Sequence, residues 1–313
     1  MDLNFGDLDF SDVEMDPRML DYVLGLETEA AQLVEGSHLY EPSVHFDQVA
    51  LLDEQEQLIV DTARHFDDFQ AAQHAFGLGE RLPYGNGVVM LFHGPSGTGK
   101  TMAAEALGHE LGRPLRLLTP AEVHSKFVGE TSKILREAFD EAEKNDAIVF
   151  FDEADAFLSG RTGVESATDR FANSDVNELL GLIERFEGLI VLTTNLAENL
   201  DPALRRRVRY RLEFPRPAAD LRERLWRQLL PESLPLAGSV DAQALAETAE
   251  LTGAEVENAV FRAAAHAVVR PGGDTSDQQR GVRQRDLLDA AHVEAENAPG
   301  ATQSESVGFR AER

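Results

Sequence analysis

Cysteine is absent from the 313-residue sequence. That excludes disulfides, thiol nucleophiles and cysteine-ligated zinc. Lysine is nearly absent too, with only Lys100, Lys126, Lys133 and Lys144. No apolar run approaches the ~20 residues that cross a bilayer, so no membrane partner is expected. Positive charge is scarce: 29 Lys and Arg stand against 56 Asp and Glu, a formal net charge of −27. Such a field repels phosphodiester backbones and anionic lipid, which argues against nucleic acid as a partner. An acidic, lysine-poor chain suits a high-salt cytoplasm, and a GC-rich genome would give the same arginine bias. The acidic start Met1-Asp2-Leu3-Asn4 does not read as a signal peptide, and the expectation is a cytoplasmic protein.

What is present begins with Gly94-Pro95-Ser96-Gly97-Thr98-Gly99-Lys100-Thr101, a full match to G-x-x-x-x-G-K-[ST]. The apolar run Val88–Phe92 before it predicts a buried strand. The stretch Thr101–Leu111 after it predicts a helix, with Ala103, Leu107 and Leu111 on one face and Gly112 as its stop. Strand, loop and helix are the context this motif requires. Glycines let successive N–H groups converge on one anion, and the helix N-terminus adds partial positive charge. Lys100 can reach the β- and γ-phosphates of a nucleoside triphosphate, and the Thr101 hydroxyl can hold Mg²⁺.

Further apolar runs, Leu115–Leu118, Ala147–Phe151, Leu189–Leu192 and Tyr210–Phe214, predict four more strands. They alternate with helical periodicity, as at Val176, Leu179, Leu180 and Ile183. The fold class is therefore α/β: a five-stranded parallel sheet covered on both faces, with ligands bound beyond the strands' carboxyl ends. Pro215-Arg216-Pro217 punctuates the chain, and wholly helical periodicity follows. The expected organisation is an acidic arm over 1–40 with one helix, a nucleotide-binding domain over 41–214, a small helical domain over 215–298 and a loose tail over 299–313. The arm's acidic–hydrophobic alternation reads as a disordered tail or as a dock for a basic partner.

The strand Ala147–Phe151 ends in Asp152-Glu153-Ala154-Asp155. Asp152 would hold Mg²⁺ through water, and Glu153 would polarise the water that attacks the γ-phosphate. Asn195, at the end of the next strand, could touch that phosphate and that water. A phosphate loop, an Asp-Glu strand end, a Thr-Thr-Asn strand end and Leu200-Asp201-Pro202-Ala203-Leu204-Arg205-Arg206-Arg207, in this order, resemble the AAA family of AAA+ ATPases over about residues 44–298. The arginine stretch is similar to the spastin- and katanin-like clade and to single-domain bacterial AAA proteins.

The resemblance implies an αβα P-loop sandwich with a helical lid and cofactors ATP and Mg²⁺. It implies a homo-oligomer, commonly a hexamer, in which Arg206 and Arg207 serve as arginine fingers toward the neighbouring subunit's nucleotide. Lys126-Phe127-Val128-Gly129-Glu130 is similar to the pore loop of AAA translocases, with Phe127 gripping an extended polypeptide. Residues 160–172 would hold a second pore loop. Gly253 and Ala254, in Thr252-Gly253-Ala254-Glu255, and the pair Val49-Ala50 match segments that contact the adenosine. The Arg-Pro-Gly-Arg form of the finger motif is missing, which leaves the primary finger open between Arg206 and Arg207. The leading functional expectation is an ATP-driven protein remodeller that threads polypeptide through a ring. An ATP-switched assembly partner of a dedicated complex is the alternative, and a DNA-linked loader is a third.

Overall fold

The computed structural model describes residues 38–76, 87–120, 130–155, 167–197, 200–231, 233–269 and 281–297. The expected pore loop Lys126–Gly129, nearly all of the 1–40 arm, the first half of the 160–172 segment and the 299–313 tail lie outside them. Strands are β1 (Leu39–Tyr40), β2 (Val88–His93), β3 (Leu115–Leu118), β4 (Ile148–Phe151), β5 (Leu189–Thr194) and β6 (Tyr210–Glu213). Between them run α1 (Asp53–Ala75), α2 (Lys100–Leu111), α3 (Glu130–Lys144), α4 (Ala167–Arg185) and the short α5 (Pro202–Arg205). After β6 come α6 (Ala219–Leu229), α7 (Ala242–Thr248), α8 (Gly253–Val269) and α9 (Gln284–Asn297).

The sheet order is β1-β3-β4-β5-β2-β6. The pairings of β2, β3, β4, β5 and β6 are parallel, as expected, and β1 adds a sixth strand antiparallel to β3. Two residues carry no periodicity, so β1 could not be read locally. It exists because Leu39 and Tyr40 face Arg116 and Leu115, and because the Leu117 N–H donates to His38 O at 2.9 Å.

The strands bury both faces, which is why they read as unbroken apolar runs. Val89, Leu91, Val149, Phe151, Ile190 and Leu192 pack on one side with Leu135, Phe139, Leu179 and Ile183 of α3 and α4. Val88, Met90, Phe92, Ile148, Phe150 and Val191 pack on the other with Ile59, Phe66, Ala103 and Leu107 of α1 and α2. The alternation is the two-residue period of a strand. It fixes register, because a one-residue slip would exchange the two cores.

The helices after Pro217 have their own apolar cluster, centred on Trp226, Leu245, Val256, Val260 and Leu287. Trp226, the chain's one tryptophan, is fully buried, and its indole N–H finds no hydrogen-bond partner. Arg222 is buried beside it. Its guanidinium donates to Pro217 O at 2.7 Å and Ala246 O at 2.8 Å, clamping the start of α6 to the end of α7.

Among the described residues, no helix is long and apolar enough to cross a membrane.

Candidate active site

The β2 strand lies between β5 and β6, so the chain's path across the sheet reverses at its carboxyl end. Crevices form at such reversals, and Gly94–Lys100 turns there into α2. Two glycines are sterically required. Gly94 has φ +147°, and a Cβ on it would lie 2.1 Å from Phe214 O. Gly97 has φ +75°, and a Cβ there would lie 2.8 Å from both Ala254 Cβ and Thr252 Oγ1. The phosphate loop is thus seated directly on the start of α8, and the Ala254 N–H donates to Gly97 O at 3.2 Å. The small residues Gly253 and Ala254 let two backbones meet here.

Lys100 is buried, and its ammonium donates to Gly94 O (2.9 Å), Pro95 O (2.7 Å) and Asn195 Oδ1 (2.9 Å). Burial lowers its pKa, and the nearby carboxylates of Asp152 and Asp155 oppose that shift. The Thr101 hydroxyl lies 3.2 Å from Asp152 Oδ1. Asp152 and Glu153 follow β4, and Glu153 has φ +54°. A side chain in the left-handed region costs roughly 1–2 kcal/mol. The strained turn is held by Thr193, whose hydroxyl accepts from the Glu153 N–H (3.1 Å) and donates to Asp152 Oδ1 (2.5 Å). Thr194, the next residue, donates to Asp155 Oδ1 at 2.8 Å and accepts from the Leu196 N–H at 3.0 Å. Sequence reasoning placed Thr193 and Thr194 at the strand end and gave them no role. The acids they hold lie 41 and 39 residues away in the chain, so no local pattern pointed to the pairing.

Gly97, Lys100, Thr101, Asp152, Glu153, Thr193, Thr194, Asn195, Gly253 and Ala254 line one cavity of about 410 Å³, within the range for small-molecule sites. Beside the loop the lining turns apolar, with Val49, Leu221, Leu225 and Leu229 around a slot that Ala50, Gly253 and Ala254 complete. Val49 and Ala50 both line this cavity. The leucines of α6, together with Gln48, Gln228, Arg216 and Glu257, were not anticipated. Burial raises the Glu257 carboxyl above its ordinary pKa. A polar, glycine-lined end and an apolar slot fit a nucleotide's phosphates and its base. Among the described residues, no group of three or more His, Asp or Glu could hold a metal alone. A divalent cation would thus rest on Thr101, Asp152 and the phosphates themselves.

Arg206 and Arg207 line no part of this cavity. They follow α5, whose Asp201 N-cap accepts from the Ala203 N–H. Arg206 is exposed and has no partner among the described residues. Arg207 is half-buried, donating to Ala203 O at 2.7 Å and pairing with Glu184 of α4. The two expected fingers are therefore physically unlike.

Residues 90–216 match the ATPase family associated with various cellular activities, AAA. This chain carries an AAA ATPase domain. The chemistry of AAA ATPases is ATP hydrolysis. The matched stretch holds the whole phosphate end (Gly94 to Thr101, Asp152, Glu153, Asn195) and Arg206 and Arg207, but not Val49, Ala50, Gly253 or Ala254. The chain is also similar to proteasome-activating nucleotidase 2 of Halobacterium salinarum, 33% identical over 255 residues covering 79% of this chain and 60% of that protein. Protein SAV of Sulfolobus acidocaldarius is 33% identical over 279 residues, 85% of this chain and 34% of that protein. A cell division cycle protein 48 homolog of Archaeoglobus fulgidus is 34% identical over 186 residues, 58% of this chain and 25% of that protein. The AAA ATPase chain thus spans between a quarter and three-fifths of these relatives.

Proposed function

We propose that the protein is a Mg-ATP-dependent, ring-forming remodeller of protein substrates whose working catalytic unit is the interface between two copies. One observation carries this. The phosphate pocket gathers Lys100, Thr101, Asp152, Glu153 and Asn195, while Arg206 stands exposed and unpartnered on another part of the chain. In phosphoryl transfer a second cation opposite the loop stabilises the charge that spreads over the equatorial oxygens.

In this reading Lys100 leaves Asn195 to bind the β- and γ-phosphates. Thr101 and Asp152 hold Mg²⁺, which when bound neutralises phosphate charge. Glu153, fixed by Thr193, takes the proton of the attacking water. Asn195 orients that water. Arg206 of a neighbouring copy meets the γ-phosphate, and Arg207 keeps α5 in place through Glu184. The sequence Lys126-Phe127-Val128-Gly129 supports threading of polypeptide, with Phe127 as the gripping side chain. The names of two relatives, a proteasome-activating nucleotidase and a cell division cycle protein 48 homolog, fit a protein-directed role.

Mixing tests the shared site. Glu153→Gln should bind ATP normally and lose turnover by about 10²–10⁴-fold. Arg206→Ala should lose about 10³-fold or more. Mixed, the two variants should recover turnover, because an intact Glu153 then meets an intact Arg206. No recovery on mixing, or normal turnover in Arg206→Ala alone, would sink the shared-site reading.

A further inference from the structure

The segment that lines the base end of the cavity is a tight turn. Phe46–Gln48 form one turn of 3₁₀ helix. The Gln48 N–H closes on His45 O (3.0 Å), the Val49 N–H on Phe46 O (3.1 Å), and the His45 N–H on Gln48 Oε1 (2.8 Å). The Val49 N–H is therefore already used, which leaves the Val49 carbonyl and the Ala50 backbone to meet a base.

From across the cleft, α6 reaches over to this turn. Gln228 Nε2 donates to Asp47 O at 2.7 Å, and the Arg224 guanidinium donates to Leu51 O at 3.4 Å. Arg224 and Gln228 are four residues apart and so share one helix face. Asp47 and Leu51, the acceptors, are also four apart. The two bonds bracket Val49 and Ala50 from either side. Leu221, Leu225 and Leu229 of the same helix form the apolar slot between them.

We propose that Gln228, assisted by Arg224, is a positioning residue for nucleobase recognition. It holds the 47–51 backbone against α6, so that the base enters a slot whose two walls are already joined. This rests on the reading of the cavity as a nucleotide site. It assigns to α6 a role in selecting an adenine nucleotide over a bare polyphosphate, distinct from the loop that grips the phosphates.

The test uses the full-length chain and two competitors of a methylanthraniloyl-ATP probe: ATP, and inorganic tripolyphosphate, which has no base. Gln228→Ala should weaken ATP by about three- to tenfold, the worth of one hydrogen bond. Gln228→Ala combined with Arg224→Ala should weaken it further. Tripolyphosphate should be unaffected in both. Turnover at saturating ATP should be retained while KM rises in step with the binding loss. Gln228→Lys, which restores a donor, should recover most of the ATP affinity.

Unchanged ATP affinity in the double variant overturns the proposal. So does parallel weakening of tripolyphosphate, which would mark a general structural effect, and so does Gln228→Lys binding as poorly as Gln228→Ala. Lys100→Ala serves as the separate control. If that variant still binds ATP as the parent does, the nucleotide reading of the cavity itself fails, whatever Gln228 does.

Discussion

The two ends of the cavity are built by opposite means. The phosphate end is local: eight consecutive residues, Gly94–Thr101, supply the loop, the cation and the hydroxyl, and the ends of β4 and β5 add Asp152, Glu153 and Asn195. The base end is assembled at long range. Gln228 and Asp47 are 181 residues apart, and Arg224 and Leu51 are 173 apart. A contiguous loop keeps its geometry as long as β2 and α2 stay joined. An assembled slot exists only while α6 lies against the 45–52 turn. The difference implies that phosphate affinity is an intrinsic property of the sheet, whereas base affinity reports the position of the helical unit.

The largest way to sharpen that contrast acts on the phosphate end alone. Thr193→Val keeps the side chain's volume but removes the hydroxyl that holds both Asp152 and the Glu153 N–H. Losing a hydrogen bond to a charged group is worth about 1.5–3 kcal/mol, so turnover should fall roughly 10–100-fold with ATP affinity little changed. Steady-state phosphate release and nucleotide titration separate the two quantities. A loss confined to affinity would show that Thr193 serves binding and not catalysis.

Gly97→Ala strikes the joint between the two ends. It forces a methyl group into the left-handed region and onto Ala254, whose Cβ would be 2.8 Å away. The conformational cost alone, roughly 1–2 kcal/mol, predicts about a tenfold loss of ATP affinity. Tripolyphosphate should weaken equally, unlike in the Gln228 variants. If only ATP suffers, the two ends are not separable in the way described.

The smallest effect concerns the support behind the loop. Glu105 of α2 accepts from the Tyr40 phenol at 3.3 Å. Burial raises its pKa, with Tyr40 opposing and Asp152 adding to the shift. Burial and Glu105 together also push the Tyr40 phenol up. The folded chain thus holds the Glu105 proton more tightly than the unfolded chain does. The associated stability is full below the ordinary carboxylate range and is lost as pH rises through the raised value. Glu105→Gln keeps an acceptor for Tyr40 and cannot ionise. Its thermal midpoint should match the parent's under acidic conditions and exceed it at neutral pH and above. Parallel pH profiles would remove Glu105 as a titrating group.

This local-versus-assembled division also decides what could be read without coordinates. Gly94–Thr101, Asp152, Glu153 and Asn195 were legible because each sits at a strand end that hydrophobic runs announce. The parallel sheet was legible by its unbroken apolar runs, and the helices after Pro217 by their 3.6-residue period. The β1 strand was not, since Leu39–Tyr40 is defined by its partner and not by its own pattern. Gln228 was invisible for a related reason: a polar residue on an exposed helix face looks like any solvated side chain until Asp47 is placed beside it. Arg206 and Arg207 looked interchangeable in sequence, and only the position of Glu184 on α4 tells them apart.

Trp226 turns this architecture into an optical instrument. A single indole, sealed in the helical cluster with its N–H unbonded, should emit toward the blue, and its red shift on denaturation will follow the helical unit. It sits beside Leu225 and two residues before Gln228, on the helix that walls the base slot. Energy transfer from Trp226 to a methylanthraniloyl nucleotide would therefore register the closing of α6 over the base, with no label added to the protein.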